Sequence, residues 1–266
     1  MVSFFRTNFD KISSQCITNH CIVLDLDETL VHTYEDIEDI SKLGLLTNPN
    51  YHDIRERLYT LSLEDVTDRK GAGIRVKMWG ITRPHVKEFL TFCFSYFKIV
   101  AVWSAGRTKY VDAIVEILFR DIAKPHVTFS WKDCETNGEN LVSKPLTKMI
   151  NSVPELNKYM NLNNTFILDD RLSNFAKNSN NGVLIPYYDP ALNIMAMRRN
   201  EESLPQFMSW LNTDEVKNAK DIRDVKKNRI WSLTASYYGP SSPRSLVSIP
   251  KIEEQLNLFY KTKLII

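Results

Sequence analysis

The chain has 266 residues, of which 43% are hydrophobic and 25% are charged, and its formal net charge is +2. This ordinary globular composition allows a sizeable core, either as one large domain or as one domain with an appendage. The small net charge excludes a global attraction to nucleic acid or to a membrane surface, so partners must be inferred from local features.

The first segment, residues 1–19, lacks the apolar core of a signal peptide. The longest apolar stretch of the chain, residues 92–103, is broken by Ser95 and Lys98 and is too short to span a bilayer. We therefore expect an intracellular protein, in the nucleus or the cytoplasm, without a membrane partner. The cysteines are scattered with no C-x-x-C pair, which indicates neither a disulfide framework nor a zinc knuckle.

The first predicted strand, residues 21–26, runs directly into the carboxylates of Asp25 and Asp27. Because residues two apart in a strand share a face, the two side chains project together. Two like charges are costly to bury unless a cation lies between them or they lie at an open edge. The pair therefore predicts a Mg²⁺ site at the carboxyl end of a central strand, although an isolated D-x-D-x-T is equally typical of a turn or a helix N-cap.

An insertion follows this strand, because about fifty residues precede the next predicted strand of the sheet, too many for a plain loop. Its first part, residues 35–46, is acidic, and its last part, residues 74–78, is predicted to be a strand. Since the insertion leaves the sheet directly after the two carboxylates, we expect it to overhang them as a lid or substrate wall.

In the rest of the chain, short β-branched runs alternate with longer helical stretches, which is typical of parallel strands joined by crossover helices. Such crossovers are nearly always right-handed, which predicts an α/β fold with a Rossmann-like, doubly wound, mostly parallel sheet. The further predicted strands are residues 98–103, 126–130, 165–168 and 182–185. The predicted helices are residues 83–97, 108–119 and 145–160, the last of them interrupted near Pro154.

The chain changes character after residue 212. Residues 215–231 are predicted to form a charged helix, whose basic side chains are typical of a solvated face and are also compatible with an acidic partner. Residues 236–250 are polar and rich in Pro and Ser, and residues 251–260 are predicted to form a final helical turn. We therefore divide the chain into an N-terminal segment (1–19), a main domain (20–212) and an extension (213–266).

Four segments at or just beyond predicted strand ends together provide the groups that phosphoryl transfer requires. Their candidate residues are Asp25, Asp27, Ser104, Ala105, Lys144, Asp169 and Asp170. The oxygens of a phosphate ester repel an anionic nucleophile, so a divalent cation and a lysine must neutralise them while a carboxylate attacks phosphorus. Taken singly, Ser104 and Asp169 are also typical of helix caps, and Lys144 is also typical of the surface.

Five motifs occur in order along the main domain: D-L-D-E-T-L-V-H, R-P-H-V-K-E-F-L, W-S-A-G, S-K-P-L and L-D-D-R. With them the chain resembles the haloacid dehalogenase superfamily, in particular the branch of protein phosphatases that act on the carboxy-terminal domain of RNA polymerase II, also called the NLI-interacting-factor-like family. Five motifs in the right order are far more specific than any one of them. The resemblance implies a haloacid dehalogenase-like domain that is a Mg²⁺-dependent phosphoserine or phosphothreonine protein phosphatase, acting through an aspartyl-phosphate.

The resemblance also implies a role for each catalytic residue. Asp25 would be the nucleophile, and Asp27 would protonate the leaving oxygen and then activate the hydrolytic water. Ser104, with Ala105 beside it, would bind a phosphoryl oxygen. Lys144 would bridge the phosphate and the nucleophile as a point charge.

The metal ligands implied by the resemblance are Asp25, the backbone carbonyl of Asp27, and Asp169 with or through Asp170. Asp170 departs from the smaller phosphatases of the family, which usually have Asn-Ser-Pro after the last aspartate, and the extra carboxylate should strengthen metal dependence. Ser104 stands where threonine is usual, which keeps the hydroxyl. Residues 129–132 lack the arginine that many relatives carry, which leaves the substrate preference open.

Two other functions stay open: a catalytically weak or inactive protein-binding scaffold, and a phosphatase of small metabolites or nucleic-acid ends. The full set of site residues favours activity. Glu28 and the Arg-Pro-x-Val motif favour a phosphorylated protein or peptide as substrate, and we expect a monomer that binds no nucleic acid directly. Residues 238–243 loosely resemble the polymerase repeat Tyr-Ser-Pro-Thr-Ser-Pro, so a pseudosubstrate role of the tail is a further hypothesis.

Overall fold

The computed structural model describes residues 6–9, 12, 15–67, 73–136 and 142–232. The pseudosubstrate hypothesis and the predictions for residues 236–250 and 251–260 lie outside these ranges. The strands of the described residues are β1 (Arg6–Thr7), β2 (Cys21–Leu24), β3 (Val31–Tyr34), β4 (Leu58–Thr67), β5 (Gly73–Thr82), β6 (Ile99–Trp103), β7 (Val127–Phe129), β8 (Glu135–Thr136), β9 (Val142–Ser143), β10 (Thr165–Asp169) and β11 (Gly182–Leu184).

The α-helices of these residues are between 4 and 12 residues long. The α-helices are α1 (Asp39–Lys42), α2 (His52–Arg55), α3 (Val86–Tyr96), α4 (Thr108–Phe119), α5 (Leu146–Ser152), α6 (Ile194–Met197), α7 (Ser203–Leu211) and α8 (Asp214–Lys217). The 3-10 helices are Pro49–Tyr51, Trp131–Asp133, Pro154–Lys158, Leu172–Asn181 and Ile230–Ser232. Within the described ranges, none of the helices combines the length and the apolar composition that a membrane span requires.

The central sheet has the strand order β1-β7-β6-β2-β10-β11. Within this sheet, the five strands β7, β6, β2, β10 and β11 are parallel to one another. At the edge, β1 pairs antiparallel with β7. Leu24 at the end of β2 pairs with Val102 of β6 and with Leu168 of β10. The carboxyl ends of these three strands are therefore level with one another, and the structure confirms the predicted α/β fold with a mostly parallel sheet.

Alternate residues of β2 join the cores on opposite faces of the sheet. Ile22 and Leu24 pack in the core that contains α3, α4 and α7, whereas Cys21 and Val23 pack in the core that contains α5. All four side chains are buried. A strand covered on both faces must be apolar at every position, which explains the continuous apolar run that identified β2 in the sequence.

The insertion after β2 forms a second sheet, which is antiparallel and has the strand order β3-β5-β4. The predicted strand at residues 74–78 lies within β5. Sequence analysis did not assign β4, although Tyr59, Leu61 and Leu63 alternate with exposed residues along it in the pattern of a half-buried strand. The role of this second sheet as a lid or substrate wall stays a prediction.

The predicted charged helix at residues 215–231 is wrong, because α8 ends at Lys217 and the chain continues in turns. Ile222 and Val225 are buried in the larger core, as is Ile230, so the packing continues past residue 212. The backbone N–H of Ile222 donates to the carbonyl of Asn163 at 2.8 Å. Tertiary contacts of this kind satisfy backbone groups and override the local preference for helix.

Candidate active site

The loop after β2 places two aspartates at the carboxyl end of the central strand. The backbone N–H of Asp25 donates to the carbonyl of Leu168 at 3.0 Å, which extends the pairing with β10 by one residue. The chain then turns at Glu28, whose φ of 56° lies in the left-handed region. The N–H of Leu30 donates to the carbonyl of Leu26 at 2.8 Å and closes the turn.

Arg83 anchors the far side of this loop. Its side chain is completely buried and forms an ion pair with Glu201, with Nε–Oε2 at 2.8 Å. It also donates to the carbonyl oxygens of Thr29 and Pro186, at 2.9 and 2.7 Å. Sequence analysis placed Arg83 at the start of a helix, but α3 begins at Val86, and the arginine instead ties the loop after β2 to the segment after β11.

Lys144 lies between two buried carboxylates from neighbouring strands. Its Nζ is 2.5 Å from Asp25 Oδ1 and 2.7 Å from Asp169 Oδ2, and Lys144 and Asp169 are both 0% exposed. The hydroxyl of Thr29 donates to the other oxygen of Asp25 at 3.2 Å. The amide of Asn174 donates to both oxygens of Asp169, at 2.8 and 3.0 Å. Every oxygen of these two carboxylates is therefore held by a donor.

The electrostatics of this group favour a bound cation. Burial raises the pKa of Asp25 well above its usual value, and the nearby charge of Asp169 raises it further. Burial disfavours the charged form of Lys144, but the carboxylates of Asp169 and Asp25 outweigh this effect and raise its pKa. The lysine therefore stays positively charged and partly neutralises the acidic site.

Asp27 is held by a different pair of donors. Ser104 Oγ donates to Asp27 Oδ2 at 3.0 Å and accepts the backbone N–H of Gly106 at 2.8 Å. The hydroxyl of Tyr110 on α4 donates to Asp27 Oδ1. Burial raises the pKa of Asp27, and these two hydrogen bonds oppose the rise. Ala105, between Ser104 and Gly106, is exposed at the surface of this loop.

Carboxylate oxygens of Asp25, Asp169 and Asp170 lie within 4.8 Å of one another. Asp170 Oδ2 is buried and accepts no hydrogen bond from the described residues. It forms a long ion pair with Arg171, whose Nε lies 3.8 Å away. Burial raises the pKa of Asp170 to about 6. An orphaned carboxylate oxygen beside two other carboxylates fits a hard divalent cation such as Mg²⁺. The side chain of Asp27 is not part of this group.

The structure therefore brings Asp25, Lys144 and Asp169 into direct contact, with Asp170 beside them, and it joins Asp27 to Ser104. Sequence analysis assigned no role to Thr29, Asn174 or Tyr110, which hold these carboxylates. Tyr110 lies in the helix predicted at residues 108–119, and its ring packs in the core. Only its hydroxyl reaches the site, and the spacing of apolar residues along a helix does not predict such a hydrogen bond. Asn174 lies in the 3-10 helix after β10, whose path could not be predicted.

A parallel α/β sheet with aspartates at the ends of two neighbouring strands and a lysine between them defines a protein of the haloacid dehalogenase class. The family model of NLI interacting factor-like phosphatases matches residues 20–223. The chain belongs to this family, as its five motifs indicated. No curated protein matches the sequence.

Two solved structures are similar to this fold. One is the fission yeast RNA polymerase II CTD phosphatase Fcp1 bound to beryllium fluoride, with a TM-score of 0.51 and 17% identity over 76% of this chain and 50% of that chain. The other is a structure of Fcp1, an essential RNA polymerase II CTD phosphatase, with a TM-score of 0.50 and 15% identity over 78% of this chain and 58% of that chain. The matches thus span about half the length of those chains. At such identities the likeness shows the fold alone.

Proposed function

We propose that this protein is a Mg²⁺-dependent phosphoserine or phosphothreonine protein phosphatase that acts through an aspartyl-phosphate. The observation that carries the proposal is the contact of Lys144 with both Asp25 and Asp169 at the carboxyl ends of β2 and β10. Membership of a phosphatase family supports it. The similarity in fold to two structures of an RNA polymerase II CTD phosphatase supports a peptide of that type as substrate.

In the first step, an oxygen of Asp25 attacks the phosphorus atom, and the bond between phosphorus and the serine or threonine oxygen breaks. Asp27 donates its proton to the departing oxygen, so that the product leaves as an alcohol. Lys144 holds Asp25 through Oδ1 and counters the negative charge of the phosphoryl oxygens. The hydroxyl of Ser104 lies at the same edge and has a single proton, so donation to one of those oxygens would replace its hydrogen bond to Asp27 Oδ2.

In the second step, Asp27 takes a proton from water, and the water oxygen attacks the phosphorus of the aspartyl-phosphate. Inorganic phosphate leaves and Asp25 is restored. The carboxylates of Asp25, Asp169 and Asp170, with the backbone carbonyl of Asp27, would hold Mg²⁺. When bound, the ion would neutralise the phosphoryl oxygens as a Lewis acid.

A panel of phosphorylated peptides tests the function. We expect phosphate release from phosphoserine or phosphothreonine peptides with Mg²⁺, loss of release on chelation, and recovery when Mg²⁺ is restored. Phosphorylated sugars and 5′-phosphorylated oligonucleotides form the comparison set, because a phosphatase of metabolites or nucleic-acid ends would prefer them. Inertness toward every peptide in the presence of Mg²⁺ would contradict the proposal and would favour the protein-binding scaffold.

Metal binding can be tested without measuring catalysis, through its effect on thermal stability. A ligand that binds only the folded state at 100 times its Kd stabilises that state by about 2.7 kcal/mol, so Mg²⁺ should raise the Tm of the protein. Asp170→Asn should weaken Mg²⁺ binding about tenfold or more, because it removes the carboxylate charge from a buried oxygen that accepts no hydrogen bond from the described residues. Differential scanning calorimetry against Mg²⁺ concentration measures both effects.

The matched control for this experiment is Asp214→Asn, since the carboxylate of Asp214 is 94% exposed and lies in α8. It should show the same Mg²⁺ dependence as the wild type. If Asp170→Asn also keeps the wild-type dependence, Asp170 is not part of the metal site.

A further inference from the structure

A chain of three hydroxyl groups connects the second sheet to Asp27. Tyr110 donates to Asp27 Oδ1, and Thr33 Oγ1 lies 2.7 Å from Tyr110 Oη. Tyr59 Oη in turn lies 2.6 Å from Thr33 Oγ1 and 3.3 Å from the carbonyl oxygen of His32. The three side chains are buried. The hydroxyl chain therefore begins on β4, passes through β3 and ends at a carboxylate of the candidate active site.

The second sheet is built so that two of these side chains can meet. Thr33 and Tyr59 lie on β3 and β4, which are separated by β5, and Gly80 on β5 is in register with both. Strands two apart are about 10 Å from each other, so the side chains must cross over residue 80. A Cβ at Gly80 would lie 2.3 Å from the Tyr59 hydroxyl and 2.5 Å from the His32 carbonyl. Only glycine leaves the space that the crossing needs.

The number of protons on these hydroxyl groups determines which group donates in each hydrogen bond. A hydroxyl has a single proton, and an ionised carboxylate only accepts. When Asp27 is ionised, Tyr110 therefore donates to Asp27, Thr33 donates to Tyr110, and Tyr59 donates to Thr33. Successive hydrogen bonds of the same direction polarise and strengthen one another in a buried environment. Ser104 holds the second oxygen of the same carboxylate, so both Asp27 oxygens have a donor.

We propose that Thr33 and Tyr59 are positioning residues, which act through Tyr110 to hold the Asp27 carboxylate in the orientation that serves the leaving oxygen of the substrate. This inference rests on the proposed function, in which Asp27 protonates that oxygen. It gives the inserted sheet a part in the chemistry that is separate from any role as a lid. A misplacement of a catalytic group by a small distance is costly because proton transfer requires hydrogen-bond geometry.

Substitutions that each remove one hydroxyl test the chain: Tyr110→Phe, Thr33→Val and Tyr59→Phe. Thr33→Ser keeps the hydroxyl and is the rescue variant. The matched controls are Tyr96→Phe and Thr18→Val, which remove buried hydroxyls that donate to backbone carbonyls, those of Leu211 and Tyr96 respectively.

The informative readout is kcat/KM at saturating Mg²⁺ on two substrates, a phosphoserine peptide and p-nitrophenyl phosphate. The serine alkoxide must be protonated as it leaves, whereas nitrophenolate leaves without a proton. For the peptide we expect losses of about 10- to 100-fold in Tyr110→Phe and about 3- to 10-fold in Thr33→Val, carried by kcat rather than KM. Tyr59→Phe should lose less, and all three should lose less on p-nitrophenyl phosphate.

Thr33→Ser and both controls should retain the wild-type rates on the two substrates. Equal losses on the two substrates, or wild-type peptide rates in both Thr33→Val and Tyr59→Phe, would overturn the inference. If Tyr110→Phe does not fold, Thr33→Val and Tyr59→Phe still test the inference. A wild-type protein inert toward both substrates would instead contradict the proposed function, and with it this inference.

Discussion

Asp25→Asn should lower the rate of p-nitrophenyl phosphate hydrolysis by at least about 10³-fold while the protein stays folded. The amide has nearly the same shape as the carboxylate but is not a nucleophile at phosphorus. Thermal unfolding should show little loss of stability, because burial and the charge of Asp169 make the ionised form of Asp25 costly. The expected result is therefore a folded and inactive protein.

The control for this prediction is again Asp214→Asn, which removes an exposed carboxylate and should keep full activity. Calorimetry on both variants separates loss of chemistry from loss of structure. Asp25→Asn with the parental rate would refute the assignment of Asp25 as the nucleophile.

Lys144→Met should both inactivate the protein and destabilise it by about 3–5 kcal/mol. The substitution keeps the length of the side chain but removes the positive charge that lies 2.5 Å from Asp25 and 2.7 Å from Asp169. Two buried carboxylates would then lie close together without the lysine charge between them. Mg²⁺ should recover part of the lost stability, since a bound cation restores positive charge beside them.

Urea unfolding with and without Mg²⁺ measures this effect. The matched control is Lys177→Met, because the Lys177 side chain is 60% exposed in its ion pair with Glu135 and should contribute only about 0–1 kcal/mol. A free energy of unfolding for Lys144→Met that equals the wild-type value would mean that the buried pairs carry no net stabilisation.

The sequence by itself determined the central sheet and the residues at its carboxyl edge. The run that forms β2 is apolar because both of its faces are covered, and that signal is local. Since parallel strands end at a common edge, the sequence placed the aspartates that follow β2 and those at the end of β10 at the same edge of the sheet, and the structure shows that these two strands are neighbours. The prediction of a charged helix at residues 215–231 was wrong, because Ile222 and Val225 pack into the core and the chain continues in turns.

Only the tertiary structure decided which groups hold those aspartates. Tyr110 is 83 residues from Asp27, and Lys144 is 119 residues from Asp25. A hydrogen bond over such a separation depends on the register of several elements at once, whereas local spacing reports only which face of one element a side chain occupies. The hydroxyl chain from Tyr59 to Asp27 is the clearest case, because it exists only where Gly80 lets side chains from two non-adjacent strands meet.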